Sequence, residues 1–302
     1  MTQVLGFVGL GNIGGRVVPH LLKAGHDVAV FDVNKEAVAA LAEQGARPAE
    51  SPAEAAKGAS VIFLSLPTPQ IVRTVVADED GVLEGASQGA IIVDHSTIDP
   101  ETARDLAAAA SAGGFSYLDA PVSGGVQGAD AGTLSVMIGG ETDTVAKVRP
   151  LIEAFAGNIF HVGPSGSGQV IKLANNVISA ATILALGEGL SATVKAGVDL
   201  DTAVDVLTKS SAASFMLTSY FPRTLFTEER ATSFALDFML KDIKLFLESA
   251  VKANLPTPVS NIVGDIYRIG NRDGRGAKDF TSVVEFYEDF TGIRLQSKGT
   301  QS

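Results

Sequence analysis

The sequence predicts a doubly wound, mostly parallel α/β sheet followed by an all-helical domain, on three observations. Up to about residue 163, short β-branched runs alternate with alanine-rich stretches, the pattern of strands joined by crossover helices. A glycine-rich turn separates the first apolar run from the first helical stretch. Beyond Gly163 the strand-like alternation stops, and helical sequence takes over, beginning with the proline-free stretch Gln169 to Ala196. With 302 residues, the chain has room for two domains of about 100–200 residues each. The boundaries predicted are 1–163 for the sheet-bearing domain and 164–302 for the helical one.

Candidate strands are Val4–Val8, Val28–Asp32, Val61–Leu66, Ala90–Asp94, Tyr117–Asp119, Leu134–Ile138 and Ile159–Val162. Helix starts between them are marked by a capping residue followed by proline. Ser51-Pro52-Ala53-Glu54 reads as a capping box, and Thr68-Pro69 and Asp99-Pro100 repeat the device. Pro19 lies inside the first helical stretch, where it removes a hydrogen bond and predicts a kink or an early end. In the second half, Gln169 to Ala196 predicts a helix about 40 Å long, the join between the domains. Leu200–Lys209, Phe234–Ala253, Pro258–Ile269 and Ser282–Phe290 follow as helices.

Charge and composition exclude several function classes. The formal net charge is −11, and so acidic a body repels phosphate backbones and anionic lipid, so neither nucleic acid nor membrane is an expected partner. With no cysteine there is no disulfide, thiolate metal site or cysteine nucleophile; a reducing, cytoplasmic setting fits. His20, His26, His95 and His161 are scattered without metal-ligand spacing, so structural roles and no metal are expected. The amino terminus has no basic n-region, and the apolar segment Val177–Gly187 covers about half a bilayer.

Gly9-Leu10-Gly11-Asn12-Ile13-Gly14 follows the first strand and opens a helix. Such glycines permit a tight turn and close backbone approach to a pyrophosphate, and the helix start offers N–H donors. The second strand ends at Asp32, where a carboxylate accepts from the adenosine ribose hydroxyls. This is a Rossmann-type fingerprint. Asp32 also repels a 2′-phosphate and is followed by Val33, not arginine, so NAD is expected over NADP; Lys35 is the nearby cation that softens this.

Two further stretches carry candidate chemistry. In Asp119-Ala120-Pro121-Val122-Ser123-Gly124-Gly125 the last three small residues could turn successive N–H groups and a hydroxyl toward an anion, or form a plain turn. Gly163-Pro164-Ser165-Gly166-Ser167-Gly168-Gln169-Val170-Ile171-Lys172 leads into the long helix, with Asn175 and Asn176 beyond. Lys172 and Asn176 share a helical face. A lysine among Val170, Ile171, Leu173, Val177 and Ile178 is either functional or snorkelling to solvent.

Together these residues resemble the β-hydroxyacid dehydrogenase family, which includes 3-hydroxyisobutyrate dehydrogenase and tartronate semialdehyde reductase. The likeness covers nearly the whole chain: the Gly9–Gly14 fingerprint, the Asp119–Gly140 signature, the glycine-rich lead to Lys172 and Asn176, and Lys241-Asp242. It implies hydride transfer between a nicotinamide cofactor and a 3-hydroxy acid or its semialdehyde. It further implies that Ser123, Gly124 and Gly125 hold the substrate carboxylate and that Lys172 is the general acid–base. Asn176 orients the reacting oxygen or the carboxylate, and Asn175 could share that work. Leu66, Pro67 and Thr97 match cofactor contacts, Lys241 a lysine closing on the cofactor, and Phe234 a pocket residue. A lysine is a poor base near its reference pKa of about 10.4; burial and the positive nicotinamide ring both act to lower it.

The segment 210–229 resembles relatives least. The likeness places it over the substrate pocket, with Arg223 either binding a second acidic group or serving as a surface or subunit contact. The family implies a homodimer or homotetramer, and Ile178, Ala181, Ile183, Leu184 and Leu190 are apolar residues that either pack within the helical domain or between copies. Imine reductases share this architecture but usually replace the lysine with Asp or Tyr. The 6-phosphogluconate dehydrogenases keep it but are longer and prefer NADP. A non-catalytic dinucleotide-binding scaffold predicts a broken catalytic set, whereas Ser123, Lys172 and Asn176 are all present.

Overall fold

A computed structural model describes residues 2–297. Its sheet grows from the apolar runs marked above. Strands β1 (Val4–Val8), β2 (Asp27–Phe31), β3 (Arg47–Pro48), β4 (Val61–Leu64), β5 (Ile91–Asp94) and β6 (Ser116–Asp119) lie in the order β3-β2-β1-β4-β5-β6, all parallel. The order reverses between β1 and β4, which opens a crevice at their carboxyl ends, where doubly wound sheets bind ligands. Beyond β6 come β7 (Val122–Ser123), β8 (Leu134–Gly139) and β9 (Ala156–Gly163). Strand β8 is antiparallel to β6 and β7 and parallel to β9.

The strands β1, β4 and β5 are buried almost throughout, as a sheet covered on both faces requires. Phe7, Phe63, Val93 and Leu118 pack with Val17, Val18 and Leu21 on one face; Ile62, Leu64 and Ile92 pack with Val72, Ala103 and Leu106 on the other. Two strands escaped the sequence pattern. β3 has two residues, one of them proline, and lies at the sheet edge, where the missing N–H costs no ladder bond. β7 is equally short.

The proline-marked helix starts form. Ser51 Oγ accepts from Glu54 N–H (3.1 Å), Thr68 Oγ1 from Ile71 N–H (3.2 Å) and Asp99 Oδ1 from Thr102 N–H (2.8 Å). The box at Ser51 is not reciprocal, because Glu54 Oε2 accepts from Glu50 N–H instead, at 2.6 Å. The helix Gly14–Lys23 runs through Pro19 rather than ending there. Val17, Val18 and Leu21, without exposed surface, hold it against the sheet.

The chain divides into two units, Met1–Leu173 and Ala174 onward, with the division inside the helix Ser167–Lys195. That helix has 29 residues, close to the expected Gln169–Ala196 span; by length and composition it could cross a bilayer, although its most apolar stretch, Val177–Gly187, covers only about half of one. Its Ala180, Ile183, Leu184 and Leu190 are instead buried in the core of the second unit, with Ala181 packed beside them, while Ile178 is 64% exposed. The second unit continues with helices Leu200–Thr208, Leu236–Lys252 and Pro258–Gly270. The last expected helix is split into a 3-10 turn, Phe280–Val284, and a helix, Glu285–Thr291. The divergent segment holds a π-helical turn, Met216–Tyr220, followed by Phe221–Thr224. Leu217, Phe221 and Leu225, without exposed surface, anchor it in the same core.

Candidate active site

The carboxyl ends of β1, β2, β4 and β5 carry most of the sequence-predicted cofactor residues. Between β1 and the helix Gly14–Lys23, a Cβ on Gly14 would lie 2.0 Å from Gly9 O, and Gly9 itself has φ +94°. Only glycine fits either place. A Cβ on Gly11 would meet nothing within 4 Å, so that turn faces open space, the room a pyrophosphate needs. Asp32 lies just past β2. Its Oδ2 accepts from Leu10 N–H at 2.6 Å and its Oδ1 from Asn34 N–H at 2.7 Å. The carboxylate is therefore braced against the glycine turn. Lys35 turns to Glu50 (2.9 Å). These residues fit a dinucleotide.

Leu66, predicted as strand, lies two residues beyond β4, and its N–H donates to Ser96 Oγ at 2.9 Å. Pro67 follows Leu66, and Thr97 follows Ser96. Behind this loop is a buried polar network. Asp94 accepts from Tyr117 OH (2.6 Å) and Ser96 N–H (2.9 Å), and burial pushes its pKa up to about 6. His95 Nδ1 faces Ala120 O at 2.7 Å, so that nitrogen carries the proton; burial lowers its pKa to about 4 and keeps the ring neutral. It stacks on Phe63 at 5.6 Å. The other histidines are likewise tied to backbone: His20 to Ala129 O, His161 to Gly140 O and His26 to Gln3 N–H.

Asp119, at the end of β6, accepts from Gly166 N–H (2.7 Å) and Gln169 N–H (3.0 Å). Burial raises its pKa to about 6 as well, against those hydrogen bonds. Its carboxylate thus fixes the start of the helix that bears Lys172. Ser123 pairs with Ser135 across β7 and β8, and Gly124 and Gly125 follow with φ +130° and +62°. Such values are open to glycine and strained for other residues.

Lys172 is only 8% exposed, whereas Val170, Ile171 and Ile178 near it are exposed. This reverses what a snorkelling lysine would show. One turn on, Asn176 is buried: its Nδ2 donates to Asp242 Oδ2 at 2.6 Å and its Oδ1 accepts from Asn175 Nδ2 at 3.0 Å. Asp242 also pairs with Lys241 (3.0 Å). Asn175 is thereby engaged with Asn176 itself. Phe234 packs against Phe238 and Phe280, with its N–H donating to Asp279. The Arg223 guanidinium lies over the rings of Tyr220 and Phe215.

Three residues gained a role that sequence reasoning had not assigned. Asp119, Asp242 and Gln169 were visible only as members of longer motifs, Gln169 also as the start of a helix. A cavity of about 740 Å³ in the second unit holds none of the predicted residues. It is lined by an ion-pair cluster in which Arg230 grips Glu288 at 2.7 and 2.8 Å and Lys278 meets Glu285.

Residues 4–163 match the family model for the NAD binding domain of 6-phosphogluconate dehydrogenase, and residues 166–287 that for the NAD-binding of NADP-dependent 3-hydroxyisobutyrate dehydrogenase. The chain is 38% identical to 3-hydroxyisobutyrate dehydrogenase of Pseudomonas aeruginosa, covering 95% of this chain and 99% of that one. It is 35% identical to 2-(hydroxymethyl)glutarate dehydrogenase of Eubacterium barkeri, covering 96% and 97%. A solved structure of Mycobacterium tuberculosis 3-hydroxyisobutyrate dehydrogenase with L-serine superposes with a TM-score of 0.87 at 32% identity, over 95% of this chain and 99% of that chain.

Proposed function

From the premise that this chain belongs to the β-hydroxyacid dehydrogenase family and is an NAD(P)-binding oxidoreductase, we propose that it interconverts a 3-hydroxy acid and its semialdehyde, with NAD as the preferred cofactor. The names of the relatives suggest the substrate class. 3-Hydroxyisobutyrate, 2-(hydroxymethyl)glutarate and L-serine share a hydroxymethyl group on the carbon that bears the carboxylate. This chain is assigned the same unit, HOCH₂–CH(R)–COO⁻.

The observation that carries the reading is the buried Lys172, one helical turn from an Asn176 amide held by Asp242. A bound nicotinamide dinucleotide would supply the hydride acceptor in oxidation and the donor in reduction. Lys172 in its neutral form takes the hydroxyl proton during oxidation; as ammonium it returns that proton to the carbonyl oxygen during reduction. Ser123 and the backbone at Gly124 and Gly125 hold the carboxylate, and Asn176 orients the reacting group. Gly9, Leu10, Gly11, Asn12, Ile13 and Gly14 receive the pyrophosphate, and Asp32 the ribose hydroxyls. Leu66, Pro67, Thr97 and Lys241 complete the cofactor set, with Phe234 assigned to the substrate pocket. NAD is preferred because a 2′-phosphate would meet the Asp32 charge, and Lys35 is committed to Glu50. The proposal includes a cytoplasmic homodimer or homotetramer, on the cysteine-free composition and the exposed Val259, Ile262 and Ile269 along one helix.

Reduced-nicotinamide absorbance with NAD or NADP, against a panel of 3-hydroxy acids, tests this. Lys172→Ala is expected to lower kcat by a factor on the order of 10²–10⁴, the size of a general acid–base contribution, with NADH affinity nearly unchanged. Full activity in that variant would refute the assignment.

A further inference from the structure

We propose that Gln169 is a positioning residue that locks the Thr97 backbone and the lysine-bearing helix into one piece. Its side chain is completely buried. Nε2 donates to the Ser96 carbonyl at 2.9 Å, and Oε1 accepts from Ile98 N–H at 3.1 Å. Those are the peptide groups on either side of Thr97. A primary amide is the neutral side chain that can donate to a carbonyl and accept from an N–H on the same extended segment. Gln169 therefore serves this loop as a neighbouring strand would.

The same residue is anchored from behind, because its backbone N–H donates to Asp119 Oδ2 at 3.0 Å while the companion oxygen takes Gly166 N–H at 2.7 Å. Lys172 is three residues further along the helix, a rise of about 4.5 Å. Ser96, whose carbonyl Gln169 holds, passes the connection on through its hydroxyl to Leu66 N–H at 2.9 Å. The backbone at Leu66 and Thr97 and the turn carrying Lys172 thus share one hydrogen-bonded frame, and Gln169 is the joint. What the frame is for rests on the dehydrogenase reading above: it fixes the proton-transferring amine relative to the loop assigned to the cofactor.

The test uses the full-length enzyme with Gln169→Met and Gln169→Glu, measuring NADH affinity by fluorescence and kcat and KM against pH. Gln169→Met keeps the bulk and removes both bonds. It is expected to lower kcat by a factor on the order of 10², as a misplacement of about 1 Å does, to weaken NADH several-fold and to leave KM for the acid little changed. In Gln169→Glu the carboxylate still accepts from Ile98 but loses the donor to Ser96, and protonation restores one. Its kcat relative to wild type should rise as pH falls. Wild-type kcat and NADH affinity in Gln169→Met, or a pH-independent ratio in Gln169→Glu, would overturn the proposal; if Gln169→Met does not fold, the ratio decides. A wild type that binds NADH but turns over no hydroxy acid counts against the dehydrogenase reading alone. The inference is then decided by NADH affinity: weakened in Gln169→Glu and recovering at low pH, it holds; equal to wild type, it fails.

Discussion

Replacing Asp119 by asparagine isolates what a buried charge costs this fold. The folded carboxyl has its pKa pushed up to about 6 from an ordinary 3.8, with burial outweighing the hydrogen bonds from Gly166 and Gln169. The folded state therefore holds the proton more tightly than the unfolded chain does. Stability from this group is fully present below about pH 4 and is lost as pH rises through about 6. At 1.36 kcal/mol per unit the full loss is about 3 kcal/mol, of which about 2 kcal/mol falls between about pH 4.5 and about pH 7.5. Asparagine has the shape of the protonated acid and does not titrate. The stability of Asp119→Asn relative to wild type should therefore climb by about 2 kcal/mol over that interval. Urea unfolding followed by far-UV circular dichroism reads it, since the chain has no tryptophan. Burial pushes Asp94 up to about 6 as well, and the Asp119 charge is the smallest of its causes, so nearly all of its contribution is common to both proteins. A difference in stability that does not vary with pH would refute the burial argument.

Asp32→Ser removes the charge expected to repel a 2′-phosphate and the brace on Leu10 N–H; the kcat/KM preference for NAD over NADP should fall by a factor on the order of 10, about 1.4 kcal/mol, and an unchanged ratio would put discrimination elsewhere. Asp242→Leu leaves the Asn176 amide and Lys241 without their shared carboxylate. A stability loss of about 1–3 kcal/mol should accompany a raised KM for the hydroxy acid, whereas destabilisation with unchanged KM would make Asp242 purely structural. Arg230→Met strands Glu288, whose two oxygens it holds, and should cost about 3–5 kcal/mol in the second unit with NADH affinity intact; chemical unfolding and NADH titration check both halves.

The fingerprint turn was legible because everything it needs is local: three glycines, a strand before them and a helix after. The same holds for Asp32, whose place is set by the end of the next strand, and for the proline-marked caps. Lys172 and Asn176 were legible as a pair because helical spacing relates them. What escaped is non-local. Asp119 reaches its helix across 47 residues, Asn176 meets Asp242 across 66, and Gln169 holds Ile98 across 71. No periodicity encodes such contacts. The two-residue strands β3 and β7 are too short for a period-2 pattern, and Pro222 disguises the helical turns around Phe221. Leu66 was assigned to β4 on its hydrophobicity, although its N–H is taken by a serine hydroxyl rather than by a neighbouring strand.

Why two carboxylates stay buried at the ends of β5 and β6, at a cost in stability, follows from the backbone around them. Where a strand ends and the chain turns, N–H groups lose their ladder partners, and a buried orphan N–H costs about 1–3 kcal/mol. Asp94 serves Ser96 N–H, and Asp119 serves both Gly166 and Gln169. An apolar residue at either place would avoid the desolvation and leave those donors stranded. The loop through Ser96 and the start of the Lys172 helix would then have to find water or another shape. The charge is tolerated because it defines where those two segments lie, and those are the segments to which the hydride-transfer chemistry has been assigned.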